Sequence, residues 1–445
     1  MDAQSSSKSF DTPAPRVASD TQDVWSIVNE AAAVSPIQPI VNLGQGFFGF
    51  NPPQFAIDAA KEALNRVDCN QCAPTKVGYD DNLIGYLRLI LRLHQGRPSL
   101  RSAIASAYSK LLERPIDESS EVVITSGANE GMLCALLAFI QPGDEIVVFE
   151  PFFDQSGIEL AGGVPRYVPL HPPKDSSRTI SNASEWTVDF EEFENAINKR
   201  TKMIILNTPH NPVGKVFTEQ ELQHIGDICL KHDLLILSDE VYDHLYYVPF
   251  TRIATLSPDL HDHTLTVASA GKAFHATGWR IGYLIGPQQL IKYVSAIHTR
   301  ICYSSVSPLQ EAVAVAFEQA DKNGFWEYSR QEMKGKMRFF CEVFESLGLP
   351  YTEPEGGYFV LVNLSRVQIP SEYSFPAHIE QRRRDFKLCW FLIQEIGIAA
   401  IPPSEFYSDE NAHIGEDFLR FAFCKEDEVL EMAKKRLLGL QRFIF

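Results

Sequence analysis

The stretch Thr264-Leu265-Thr266-Val267-Ala268-Ser269-Ala270-Gly271-Lys272 joins an apolar, β-branched run to a lysine, and Arg280 follows eight residues later. The apolar run predicts a buried strand. Lysine forms Schiff bases most readily when desolvation lowers its pKa, and Ser269 and Arg280 could hold an anion beside it. Two alternatives stay open: an ordinary surface lysine, or the Ser-x-x-Lys pair of a serine acylase.

Outward from this stretch, apolar strand-like runs alternate with segments of helical periodicity. The runs are residues 121–125, 145–149, 202–206, 234–238 and 264–268, with helical periods at 132–140 and 219–232 between them. This alternation predicts an α/β domain with a mostly parallel sheet. After residue 320 the pattern changes to a long helix (324–347), a Gly-rich strand (356–362) and a strand at 418–423. These elements predict a smaller C-terminal α/β domain.

Polar groups follow the predicted strands, at the sheet edge where α/β proteins bind ligands. Small residues that open a helix after the first strand can present backbone N–H groups to a phosphate. Asp239 at a buried strand end needs a cationic or donor partner, such as a protonated pyridine nitrogen. The other candidates at these ends are Ala128, Asn129, Phe153, Asn211 and Tyr242. Each of these residues could have a purely structural role, in a turn, in the core or in an ion pair. Together with Lys272, however, they predict pyridoxal 5'-phosphate as the cofactor.

Composition narrows the class of protein. The chain has 445 residues, 45% of them hydrophobic, and a net charge of -17. This charge argues against nucleic acid or anionic membrane as a partner, and no apolar run approaches the length of a membrane span. The eight cysteines are scattered except for Cys69-x-x-Cys72, which lacks a second pair at zinc spacing, so no metal site is predicted. Scattered thiols are typical of a reduced compartment. We expect the cytoplasm, with the mitochondrion as the alternative.

The chain resembles the class I/II, fold-type I aminotransferases that use pyridoxal phosphate, and within them the kynurenine aminotransferases, especially those of fungi. The motifs that carry the resemblance are residues 41–47, 150–154, 207–215, 269–280 and 356–359. It covers nearly the whole chain from Asp23 onward. We divide the chain into a disordered tail (1–22), an N-terminal segment that packs on the small domain (23–55), a large cofactor-binding domain (56–320) and a small C-terminal domain (321–445).

The resemblance implies a role for each candidate residue. Lys272 would carry the cofactor, with Asp239 and Tyr242 as its catalytic partners at the ring nitrogen and ring oxygen. The expected cofactor contacts are Ala128, Asn129, Phe153, Asn211, Asp239, Tyr242, Ser269, Lys272 and Arg280. The expected substrate contacts are Gly46, Asn211, Arg420 for the α-carboxylate, and Trp25 and Tyr303 for the side chain, with Tyr303 supplied by the partner of a homodimer.

The segment between Cys72 and Gly96 departs from the family. Related sequences have a tyrosine at the position of Cys72 and donate it across the dimer to the cofactor phosphate. Nineteen additional residues, 77–95, then separate two halves that read continuously without them. We interpret residues 77–95 as either a genuine apolar insert or an intron retained in the gene model.

The predicted function is transfer of the amino group of kynurenine, and of other aromatic or sulfur amino acids, to a 2-oxo acid such as 2-oxoglutarate, which gives kynurenic acid. A cysteine-S-conjugate β-lyase or a general aromatic aminotransferase would use the same cofactor. The alternative from another class is a binding protein with impaired catalysis, which Cys72 and the insert would explain.

Overall fold

The computed structural model describes residues 22–72, 95–153 and 156–445. The described helices of the first half are α1 Val24–Val34, α2 Gln54–Leu64, α3 Pro98–Leu111, α4 Ala128–Phe139, α5 Ser156–Leu160, α6 Phe190–Asn195 and α7 Glu219–Lys231. Those of the second half are α8 Pro258–Asp262, α9 Ala270–Ala273, α10 Gln288–Ile301, α11 Ser307–Ala320, α12 Phe325–Leu347, α13 Ala377–Glu380, α14 Arg384–Glu395 and α15 Asp427–Leu437. None of these helices is both long and apolar enough to cross a membrane.

Eight strands form the large sheet, in the order β2-β10-β9-β8-β7-β3-β4-β6. They are β2 Val122–Thr125, β3 Glu145–Glu150, β4 Val164–His171, β6 Thr187–Val188, β7 Thr201–Asn207, β8 Leu235–Asp239, β9 Thr264–Ser269 and β10 Gly282–Ile285. The five central strands β4, β3, β7, β8 and β9 are parallel to one another, whereas β6 and β10 pair antiparallel with their neighbours. The expected α/β fold with a mostly parallel sheet is confirmed.

A four-stranded sheet belongs to the C-terminal part of the chain. Its order is β14-β12-β11-β5, with β5 Ser181–Asn182, β11 Tyr351–Glu353, β12 Phe359–Asn363 and β14 Phe418–Ala422. The expected smaller C-terminal α/β domain is therefore present. The short strand β5 comes from the middle of the chain and pairs in parallel with β11, which ties the two parts together.

The N-terminal segment packs on the C-terminal part. The strand β1 Val41–Asn42 pairs in parallel with β13 Ile398–Ala399. Val24, Ile27 and Val28 of α1 lie in the same hydrophobic cluster as the buried face of α14. Asp23 caps α1 by accepting hydrogen bonds from the backbone of Trp25 and Ser26, which satisfies N–H groups that a helix start leaves without partners. This packing carries residues 43–48 across the mouth of the large sheet.

Two predicted features lie almost wholly outside the described residues. Of the tail, residues 1–22, only Gln22 is described. Of the predicted insert, residues 77–95, only Gln95 is described, and its buried carbonyl oxygen accepts a hydrogen bond from the backbone N–H of Ile124 at 2.8 Å. Cys72, just before the insert, is exposed.

Candidate active site

The site lies where three neighbouring parallel strands end. Asn207 closes β7, Asp239 closes β8 and Ser269 closes β9, and the first two are directly paired across the sheet. The side-chain amide of Asn207 donates to the backbone oxygen of Asp239 at 3.0 Å, and the Oδ1 of Asn207 accepts from the N–H of Asn211 at 2.7 Å. These bonds fix the turn that holds Asn211 against the end of β8.

Lys272 stands on the single turn of α9, just beyond β9. Its Nζ donates to the hydroxyl of Tyr358 at 2.6 Å and lies 3.5 Å from the backbone oxygen of Gly46. Burial lowers the pKa of Lys272 to about 8. Near neutral pH the ε-amino group therefore has an appreciable neutral fraction, which is the form that attacks a carbonyl carbon or takes up a proton.

Asp239 presents a carboxylate to the same cavity. Burial raises its pKa to about 7, since desolvation outweighs the one backbone hydrogen bond from Val241 at 3.3 Å. Asp239 forms no ion pair with any other described residue. A carboxylate held this way is stabilised by a donor with positive charge, such as a protonated ring nitrogen.

The start of α4 faces Arg280 across the cavity. Gly127, which precedes the helix, has φ of +91°, and a Cβ at this position would lie 2.5 Å from Nη2 of Arg280. The glycine is therefore required both by its backbone conformation and by the close approach of the guanidinium group. A helix start together with an arginine and Ser269 forms an anion site of phosphate size.

Arg420, on β14, is the buried cation of the opposite wall. Its Nη1 donates to Oδ1 of Asn211 at 3.0 Å and its Nη2 to the oxygen of Gly44 at 2.9 Å, while Nε has no partner among the described residues. The guanidinium lies 4.1 Å from the ring centre of Phe359. Burial lowers its pKa to about 10. No described carboxylate pairs with Arg420, so the geometry suits a carboxylate from a bound molecule.

The cavity between these groups has a volume of about 310 Å³. Of the residues expected at the site, those that line it are Trp25, Gly46, Ala128, Asn129, Phe153, Asn211, Asp239, Tyr242, Ser269, Lys272, Arg280 and Arg420. Tyr303 does not line the cavity. It is about half exposed, with φ of +63°, beyond the end of α10.

Among the residues at the site that were given no role from the sequence are Tyr358, Asn207 and Phe359. Tyr358 bonds to Lys272 and donates to the oxygen of Gly46 at 2.9 Å. Asn207 ties the strand ends together, and Phe359 lines the cavity under Arg420. All three lie in motifs that the sequence marks, 207–215 and 356–359, but a pairing such as Tyr358 with Lys272 depends on the fold.

The chain belongs to the aminotransferase class I and II family, whose model matches residues 38–437. Fold and site together therefore define an aminotransferase.

Among its relatives is the Saccharomyces cerevisiae protein named probable kynurenine–oxoglutarate transaminase BNA3. The two are 48% identical over 95% of this chain and 93% of that protein. Human kynurenine–oxoglutarate transaminase 3 is 35% identical over 95% of this chain and 89% of its own length. The crystal structure of yeast Bna3p superposes with a TM-score of 0.89 at 48% identity, covering 96% of this chain and 97% of that one. An aromatic aminotransferase from Pyrococcus horikoshii superposes with a TM-score of 0.74 at 26% identity, covering 92% and 97%.

Aminotransferases of this family use pyridoxal phosphate, and the cavity residues fit that cofactor. Asp239 has no ion-pair partner among the described residues, Lys272 lines the cavity, and the start of α4 with Arg280 supplies an anion site. Pyridoxal phosphate has one group for each of these: a protonated ring nitrogen for Asp239, an aldehyde for the amine of Lys272, and a phosphate for the anion site.

Proposed function

We propose that the protein transfers the amino group of L-kynurenine to 2-oxoglutarate, with pyridoxal phosphate as its cofactor. The observation that carries the proposal is that Asp239, Lys272 and Arg420 line one cavity and that none of them forms an ion pair with another described residue. The names of the relatives in yeast and human support kynurenine as the amino donor.

Each residue has a distinct task in the reaction. Arg420 binds the α-carboxylate of the amino acid and, with Asn211, fixes the orientation of Cα. Pyridoxal phosphate, when bound, supplies a conjugated ring that accepts the electron pair left at Cα. Asp239 keeps the proton on the ring nitrogen, because an ionised carboxylate beside that nitrogen favours its protonated form. The Nζ of Lys272 would take the proton from Cα and deliver it to the carbon that was the aldehyde carbon of the cofactor.

The cavity wall favours an aromatic substrate. Trp25, Phe153 and Phe359 line it, and Phe153 packs against Phe406 with 5.9 Å between ring centres. Aromatic side chains bury large apolar area and contact a planar ring favourably. The kynurenine side chain, which carries an aromatic amine, suits such a wall.

A single-turnover experiment tests this function. The purified protein loaded with pyridoxal phosphate is mixed with one amino acid at a time, and the loss of the absorption band of the lysine-bound cofactor is followed. We expect L-kynurenine to react and to yield kynurenic acid, detected by chromatography, once its 2-oxo acid product closes into a ring. Lys272→Ala should lose both the band and the turnover.

The panel also separates the alternatives. A cysteine S-conjugate that releases pyruvate and ammonia without added 2-oxo acid would indicate a β-lyase. If another amino acid reacts about 100-fold faster than kynurenine, the kynurenine assignment is wrong although the protein is still an aminotransferase. Retention of the band with no reaction of any amino acid would favour the impaired binding protein.

We also propose a homodimer. Exposed apolar side chains concentrate on two adjoining segments, Leu64 and Val67 on one, and Ile301, Tyr303 and Val306 on the other. The segments touch, since the hydroxyl of Ser307 donates to the backbone oxygen of Gln71 at 2.8 Å. Exposed apolar side chains on adjoining segments are typical of a protein interface. Light scattering after size exclusion should give twice the 50.0 kDa mass of one chain. Residence in the cytoplasm stays a prediction.

A further inference from the structure

Two adjacent helices each present a pair of metal-ligating side chains, four residues apart, that do not line the cavity. Glu130 and Cys134 lie on α4, and His298 and Cys302 lie on α10 and at its C-terminal end. Residues four apart share one helix face, and the two helices pack against each other. The two pairs therefore meet between the helices, although 168 residues separate Glu130 from His298 in the sequence.

Three of these side chains bring different donor atoms together. The Nδ1 of His298 lies 3.0 Å from Oε1 of Glu130 and 3.2 Å from Sγ of Cys302. The ligand atoms of all three lie within 4.8 Å of one another. Around a tetrahedral Zn²⁺, with bonds of about 2.0–2.3 Å, neighbouring ligand atoms are about 3.3–3.6 Å apart. The two contacts of His298 thus need to open by only a few tenths of an ångström to admit the ion.

The donor set selects the kind of metal. A thiolate sulfur, an imidazole nitrogen and a carboxylate oxygen suit Zn²⁺ and its substitute Co²⁺, whereas Mg²⁺ and Ca²⁺ prefer oxygen ligands alone. His298 is fully buried, and Glu130 and Cys302 are half-buried. Three protein ligands leave the fourth tetrahedral position of Zn²⁺ to a water molecule.

Neighbouring groups hold the carboxylate in place. Sγ of Cys134 donates to Oε1 of Glu130 at 2.9 Å, and the backbone N–H of Ser126 donates to Oε2 at 3.0 Å. The hydroxyl of Ser126 lies 3.5 Å from Sγ of Cys302. Contacts of this kind around a ligand are what fixes its orientation in metal sites.

We propose that Glu130, His298 and Cys302 form a Zn²⁺ site that braces the turn before α4 against the end of α10. Binding replaces the thiol proton of Cys302 and the proton on Nδ1 of His298, so uptake of the metal releases protons to solvent. Because Ser126 and Ala128 sit on the braced turn, the site lies directly behind the anion-binding start of α4.

Cobalt titration of the cofactor-loaded protein tests the proposal. After treatment with a chelator and removal of the chelator, Co²⁺ is added and the visible d–d bands are followed at wavelengths longer than the absorption of the cofactor. We expect one Co²⁺ per chain, intense bands typical of tetrahedral coordination, and displacement by Zn²⁺. Cys302→Ser and His298→Gln should each weaken binding at least 100-fold, since each removes a ligand outright.

Two control variants separate this site from other metal-binding groups. Cys72→Ala removes an exposed thiol outside the cluster and should leave the bands unchanged. Lys272→Ala, which should lack the lysine-bound cofactor, should also retain the cobalt bands, because none of the three proposed ligands lines the active-site cavity. Bands that survive both Cys302→Ser and His298→Gln, or that disappear in Cys72→Ala or Lys272→Ala, would overturn the proposal. Circular dichroism identifies a variant that fails to fold, in which case the other ligand variant decides.

Discussion

Asp239, Lys272 and Arg420 share an unusual energetic position in the folded chain. Burial shifts the pKa of each group in the direction that favours its neutral form, and none of the three forms an ion pair with a described residue. The charges of Asp239 and Lys272 favour each other only weakly, without direct contact. Burying a charge without a partner opposes folding. These residues therefore destabilise the free protein and gain their partners only when the cofactor and the α-carboxylate of a substrate bind.

Tyr358→Phe should lower kcat about tenfold and change KM less than twofold. The Tyr358 hydroxyl accepts from Nζ of Lys272 at 2.6 Å and donates to Gly46, so it positions the base without touching the substrate carboxylate. Loss of this acceptor also removes a hydrogen bond that stabilises the protonated amine, and the pH at which Lys272 loses its proton should fall. Steady-state kinetics as a function of pH measure both effects.

Tyr247→Phe is the matched control for that variant. The Tyr247 hydroxyl donates to the backbone oxygen of Gly357, on the same Gly-rich segment, but does not line the cavity. Its removal should leave the pH profile unchanged. Equal losses of kcat in the two variants would show that Tyr358 acts only through the stability of this segment.

At the scale of elements, apolar runs predict five of the eight strands of the large sheet and miss β4, β6 and β10. The five runs predicted from the sequence all overlap observed strands, β2, β3, β7, β8 and β9. β10 Gly282–Ile285 was missed because it is short and begins with glycine, and β4 Val164–His171 because two prolines interrupt its pattern. β10 runs antiparallel between β2 and β9, a placement that depends on long-range pairing and not on local sequence.

Arg252→Met should destabilise the fold by about 3–5 kcal/mol, because it leaves two buried carboxylates without their cation. Arg252 is buried and pairs with Glu240 and with Asp243, the latter at 2.9 Å. Tyr108 donates to the same Asp243 at 2.5 Å. These contacts hold the turn that directly follows Asp239 at the end of β8, so the affinity for pyridoxal phosphate should fall as well. Denaturant unfolding and cofactor titration measure the two quantities.

An exposed ion pair provides the control. Lys110 pairs with Asp321 at 3.3 Å, and both side chains are largely exposed. Lys110→Met should cost less than about 1 kcal/mol, because solvent screens such pairs. If the two variants lose similar stability, the buried network does not support the turn as argued.

For the whole molecule, the sequence indicates which residues carry the chemistry but not all of their partners. Lys272 and Asp239 could be predicted from the residues alone, because parallel strands end at one edge. Arg420 could be assigned only by resemblance, since its hydrogen bond to Asn211 spans 209 residues. The cluster of Glu130, His298 and Cys302 could not be predicted, because the four-residue spacing of His298 and Cys302 is only part of it and Glu130 comes from another helix.

Asp239→Asn should make the cofactor-free protein more stable at pH 8, by about 1–3 kcal/mol, while abolishing efficient transamination. The folded-state pKa of Asp239, about 7, lies above the ordinary value of 3.8. Between these values the folded protein keeps a proton that the unfolded chain releases, so the contribution of Asp239 to stability falls as pH rises from about 4 to 7. The advantage of the variant should therefore vanish near pH 4 and level off above pH 7. Thermal unfolding of cofactor-free wild type and variant across this range measures the difference. Asp58→Asn, which alters an exposed carboxylate in contact with Gln54 and Lys61, is the control and should show no such difference. We argue that burying the ionised Asp239 carboxylate destabilises the free protein and that the cofactor removes this cost. A stability difference between variant and wild type that did not change with pH would contradict this argument.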